Sequence, residues 1–198
     1  MADSKRLRLA SILFEAGFVV LGVFLALVAN EWRSDVKARQ HAEVARAGII
    51  EEIRTNRAAV EEMRDYHRVL IDSLRTRPPD GPPPFHLYQR GFANAATTLS
   101  TAWDAANATD AVSFMDFDDV LAFSALYAQQ DRYERTTLEI GAVIFGELFE
   151  TGSAGVARNV RSLADINGSL YYQELGLLAA YDRTLEQVTG LAPASTGS

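Results

Sequence analysis

"IIEEIRTNRAAVEEMRDYHRVLIDSL", residues 49–74, decides the fold. Ile49, Ile53, Asn56, Val60, Met63, His67, Leu70 and Leu74 recur at alternating intervals of four and three. That rhythm belongs to one side of an α-helix, so it predicts a heptad seam or one buried face of a bundle helix. Acid-before-base pairs decorate the other faces: Glu51/Arg54, Glu61/Arg64, Asp65/Arg68 and Asp72/Arg75, with Asp35/Arg39 and Glu43/Arg46 upstream. Each such pair adds only about 0.2–0.5 kcal/mol, yet together they suit a solvated helix surface. Two seam positions are polar. A buried Asn56 can fix register or oligomer state at some cost in stability. His67 has no second ligand three or four residues away, so it reads as a satisfied, partly buried histidine rather than a metal site.

Upstream, nothing interrupts the helix. Ser34 to Arg75 contains no proline and a single glycine, Gly48. Before it lies "LASILFEAGFVVLGVFLALVA", residues 9–29, followed by Asn30, Glu31 and Trp32. About 20 predominantly apolar residues cross a bilayer core, so residues 9–32 are expected to be a transmembrane helix. A secretory signal peptide is the rival, since "KRLRLA" resembles a basic n-region. No small-residue cleavage site follows, and the helical pattern runs on past Trp32. Asn30 and Trp32 then anchor the far interface. Residues 1–8 form a short basic tail, which favours a cytoplasmic N-terminus and a periplasmic bulk in a bacterial inner membrane.

One face of the span carries Glu15, Val19, Gly22, Ala26 and Ala29. Small residues let another membrane helix approach closely, so this stripe is the expected helix contact. A carboxylate among them stays protonated and donates, or pairs with a cation such as Arg8. Three roles remain open for Glu15: a docking acid, an interfacial residue reached by water, or a proton- or ion-handling group. From Leu9 to Leu74 a continuous helix would run roughly 100 Å, so it must pack on copies of itself or on the rest of the chain.

Downstream, "RPPDGPPPF", residues 77–85, ends the stalk in a stiff turn or linker. Three further helices are expected, near 98–108, 118–150 and 156–189. The break "TGSAG" at 151–155 separates the last two into an antiparallel hairpin. No strand-like alternation is convincing. The expectation is an all-α chain: tail 1–8, span 9–32, stalk 33–76, Pro-rich linker 77–95, helical bundle 96–190 and flexible tail 191–198. The hairpin would pack on the second half of the stalk, with the helix bearing Trp103 as a cover.

Charge and motifs exclude more than they assign. Residues 1–77 carry 13 basic and 11 acidic side chains, and residues 78–198 carry 6 and 15, so the net charge of −7 sits in the second half. Such a domain repels phosphate backbones, which argues against nucleic-acid binding. The chain has no cysteine, so disulfides, thiolate metal sites and cysteine nucleophiles are excluded. His41, His67 and His86 share no ligand spacing, and no phosphate loop, nucleophile elbow or H-E-x-x-H motif occurs. "DFDD" at 116–119 is better explained by helix capping than by a cation site. Trp103, Tyr171 and Tyr172 are candidates for a ligand patch, with bundle packing as the simpler reading. No catalytic residue, metal site or cofactor is expected.

The stretches "FEAGFVVLGVFLALVANEW", "ARQHAEVARAGIIEEIRTN" and "LSTAWDAANATDAVSFMDFDDVLAFSALYAQQDRY" resemble a family of uncharacterised bacterial single-pass membrane proteins. The shared pattern is an acid opening a glycine-containing span that ends in Asn-x-Trp, then an E-x-x-x-N helix (Glu52 and Asn56), then Ala102-Trp103. It covers most of residues 10–135, and the resemblance implies no activity. The combined expectation is a non-enzymatic scaffold or accessory subunit in contact with membrane lipid. It would dock on copies of itself or on another integral-membrane protein. A ligand-binding periplasmic sensor module and an oligomeric pore lined by Glu15 are the alternatives.

Overall fold

The computed structural model describes residues 2–78 and 81–190; the side chains of residues 2–17 and of Val19 lie outside the described set. The expectations for Glu15 and Val19 as contact residues, and for the tail 191–198, therefore fall outside it. The molecule is all-helical, with no strand among the described residues. Its elements are α1 (Ala2–Arg75), α2 (Thr101–Ala108), α3 (Phe117–Arg158) and α4 (Val160–Thr189), with 3-10 turns at Phe85–Leu87 and Ala111–Phe114.

α1 is one unbroken helix of 74 residues. Its two halves differ completely. Every residue from 20 to 37 is exposed. Beyond Ala42 the seam goes inward, and Ile49, Ile53, Asn56, Val60, Met63, His67, Leu70 and Leu74 are all buried. They pack on α3 and α4 of the same chain, not on a second copy.

Cross-helix contacts fix the directions. Arg46 meets Val188, Arg57 meets Asp182 and His67 meets Glu174, so α4 runs antiparallel to α1. Arg46 also meets Asp119, Tyr127 meets Glu52 and Gln130 meets Asn56, so α3 runs parallel to α1. The hairpin turn is made by Gly152, whose φ of 69° is the left-handed conformation that favours glycine. A short helical piece follows to Arg158, and α4 starts at Val160 rather than at the expected 156. At the other end Gly190, also left-handed, terminates α4 by donating its N–H to the Glu186 carbonyl at 2.9 Å.

Two hydrophobic clusters run along the bundle. The larger joins Ile49, Ile53, Val60, Phe123, Leu177 and Tyr181; the smaller joins Leu70, Leu74, Tyr88, Val156 and Leu163 at the hairpin end. The Pro-rich stretch is thus more than a tether. Its Tyr88 is buried in the second cluster, with Leu87 and Phe92 packed against it. Asp116 caps α3 by accepting the Asp118 N–H at 2.9 Å, so the "DFDD" run does act as a cap.

Candidate functional site

A line of polar groups crosses the apolar interior, and it starts from the E-x-x-x-N pair. Glu52 and Asn56 stand one helical turn apart on α1. Glu52 accepts the Ala102 N–H at 2.8 Å and the Tyr127 hydroxyl at 2.6 Å. Since Ala102 lies in the first turn of α2, Glu52 satisfies a backbone donor that no side-chain cap reaches. Asn56 accepts the Leu99 N–H at 2.9 Å and donates to the Leu99 carbonyl at 2.7 Å. The amide therefore pairs with the Leu99 backbone as a neighbouring strand would. This explains why α2 begins at Thr101 and not near 98: the Leu99 backbone is tied to α1 instead of to a helical turn.

Asn56 also donates to Gln130 Oε1 at 3.1 Å, and that oxygen accepts the Tyr181 hydroxyl at 2.7 Å. Further along, Glu174 accepts the Tyr133 hydroxyl at 2.9 Å and lies 2.9 Å from His67 Nδ1, with both His67 and Glu174 fully buried. Tyr133 in turn accepts the Ala96 N–H at 2.9 Å. His67 Nε2 has no partner among the described residues. Burial drives the phenols of Tyr127, Tyr133 and Tyr181 strongly upward, reinforced by the Glu52 hydrogen bond at Tyr127 and by the Glu174 charge at Tyr133. They remain neutral hydrogen-bond donors at physiological pH. Both oxygens of Glu52 and of Glu174 engage internal groups, so the seam is built to position elements.

The aromatic candidates do not form one patch. Trp103 stacks on Tyr127, with ring centroids 5.5 Å apart and planes 6° from parallel, and approaches Phe123 edge-on. It opens onto a cleft of about 380 Å³ lined also by Asp104, Asp131 and Glu134. Tyr171 and Tyr172 contact each other edge to face and line a different, smaller cleft with Arg68, Asp72 and Arg75. Among the described residues no group of three His, Asp or Glu side chains is placed to hold a metal. On α1, Gly22, Ala26, Ala29, Asn30 and Trp32 are exposed, and no other described residue would meet a Cβ at Gly22.

Several site residues escape the sequence reading. Glu174 and Asn167 lie on the inward face of α4 between Leu163, Leu170 and Leu178, and a polar residue on an apolar stripe is the signal that marks them. Arg46 reads as a surface partner of Glu43 but pairs with Asp119 instead, and Arg57, which belongs to none of the expected pairs, bridges Asp182 and Glu61. No family model, curated protein or solved structure matches the chain.

Among the described residues one helix is long and apolar enough to cross a membrane, Phe117–Arg158, whose most apolar window has mean hydropathy 1.2 and is only 11% buried. Leu138, Val143, Phe145 and Phe149 on this helix are exposed, Phe149 at 90%.

Proposed function

We propose that this chain is a membrane-anchored, non-enzymatic helical scaffold or accessory subunit, held by residues 9–32 and docked through that segment. The observation that carries the reading is the two-sided character of α1. A single helix passes from a wholly exposed apolar stretch, with Val20, Leu21, Val23, Phe24, Leu25, Leu27 and Val28, straight into the core of a folded bundle. Apolar side chains exposed all round a helix need lipid or partner helices as their solvent.

The apolar part of α3 is a poorer span. Its first half is committed to the core through Phe123, Leu126, Tyr127 and Tyr133, and Gly152 breaks the helix. From Leu138 to Thr151 the uninterrupted helix rises roughly 21 Å, against about 30 Å of hydrocarbon. Glu139, Glu147 and Glu150 lie within it.

With residues 9–32 in a bilayer, Gly22, Ala26 and Ala29 offer a close-approach face, and Glu15 on the same face supplies a polar contact. The bundle stands on the far side as a rigid extension. The native mass of the full chain in lipid nanodiscs, beside Glu15→Leu, tests the docking. The expected result is a discrete homo-oligomer, or a complex with another integral-membrane protein, that dissociates in the variant. A monomer unaffected by the substitution contradicts it.

A further inference from the structure

At the hairpin end of the bundle the last turn of α1, the close of α3 and the first turn of α4 enclose an open cleft of about 500 Å³. Among the described residues Arg75, Arg77, Arg158 and Arg161 line it, against one carboxylate, Asp165. The clefts at Tyr171–Tyr172 and at Trp103 hold two basic side chains and none, respectively. None of the four forms an ion pair among the described residues, although most other arginines of the bundle do. Arg77 donates only to the Pro82 carbonyl, at 3.0 Å.

The backbone contributes both signs: α1 and α3 end at the cleft with their carbonyls, and α4 opens there with its N–H groups. α4 is 30 residues long, has no acid in its first turn, and has no side-chain cap on its N-terminal N–H groups. Val160, Arg161 and Ser162 of that turn line the cleft, so free donors and the positive end of the helix dipole face the place where the guanidinium groups gather.

We infer that this cleft binds a phosphoryl-bearing anion. Guanidinium forks match phosphate oxygens in pairs, and uncapped helix N-termini favour the same group. Four arginines against one acid call for more than one negative charge, which a phosphomonoester or a diphosphate carries and a single carboxylate does not. The volume lies in the range of small-ligand sites. Arg75 is shared with the neighbouring cleft of Tyr171 and Tyr172, where the organic body of a phosphate ester can lie against the rings. The donor could be a free phosphate compound or a lipid headgroup. From Trp32 to Arg75 α1 rises roughly 65 Å, so headgroups of the membrane proposed around residues 9–32 are out of reach. A free solute is the favoured source; only a second membrane could present headgroups here.

The test uses the full chain in zwitterionic nanodiscs, with inorganic pyrophosphate titrated calorimetrically. One site is expected, weakening with salt, and Arg75→Ala combined with Arg161→Ala should weaken it at least about tenfold. Arg161→Lys, which keeps the charge but loses the fork, should fall between. Without anion the double variant should melt no lower than the wild type, because it removes like charges and no ion pair. In a parallel arm the nanodiscs are sedimented with vesicles of phosphatidylcholine with or without phosphatidic acid. Capture by the acidic vesicles alone, lost in the double variant, assigns the site to headgroups. Binding of neither pyrophosphate nor acidic vesicles, or binding unchanged in the double variant, overturns the inference. None of these readouts depends on whether α1 docks on another span.

Discussion

Glu174 shows how a single residue organises this interior. It lies fully buried between His67 and Tyr133, one oxygen to each. Taking a carboxylate out of water is costly unless its lone pairs are met, and here both oxygens have partners. Glu174→Leu would strand the Tyr133 hydroxyl and His67 Nδ1 among apolar side chains. A loss of about 3 kcal/mol or more in urea unfolding is expected. Adding His67→Phe should recover part of that loss, since an apolar group then replaces a stranded polar one. A single-variant loss below about 1 kcal/mol would mean that the pair does not hold the helices together.

At the scale of elements, α1 is the most legible part of the sequence. Its seam positions are written in the spacing of Ile49 to Leu74, and burial follows that spacing residue by residue. The sequence left open what the seam packs on, because a heptad pattern looks the same for a second copy and for a hairpin further along the chain. The element ends were less legible. The helix was expected from near 98, but Asn56 takes the Leu99 backbone for itself. The α3–α4 corner opens at Gly152, inside the expected break, but closes only at Asn159, beyond it. The arginine cleft was not legible at all, since its four cations come in two pairs some 80 residues apart and only the hairpin brings them together. Asn56→Ala should test the clamp. The Leu99 N–H would lose its acceptor, while its carbonyl keeps Gln130 Nε2 at 3.1 Å, for about 1–3 kcal/mol. Amide exchange should speed up across 99–108 well before it does in the α1–α4 pair. Uniform acceleration over the whole bundle would show that the clamp is not local.

On the scale of the whole molecule, the two ends of the bundle differ in character. The exposed apolar stretch Val20–Val28 of α1 lies beyond one end of the bundle, and the arginine cleft opens at the other. The polar seam between them ties α1, α2, α3 and α4 into one body, so a displacement of α1 has several buried contacts through which to act on the hairpin. Two helices carry exposed apolar surface, α1 at Val20–Val28 and α3 at Leu138–Phe149, and the account places only the first in a membrane.

The absence of cysteine makes that choice directly measurable. Val23→Cys and Val143→Cys, each alone in the full chain reconstituted in liposomes, would be exposed to a membrane-impermeant maleimide before and after detergent. Val23→Cys should stay unlabelled until the bilayer is dissolved, while Val143→Cys on outward-facing molecules labels at once. Immediate labelling at position 23 with protection at position 143 would contradict the account and move the anchor to α3.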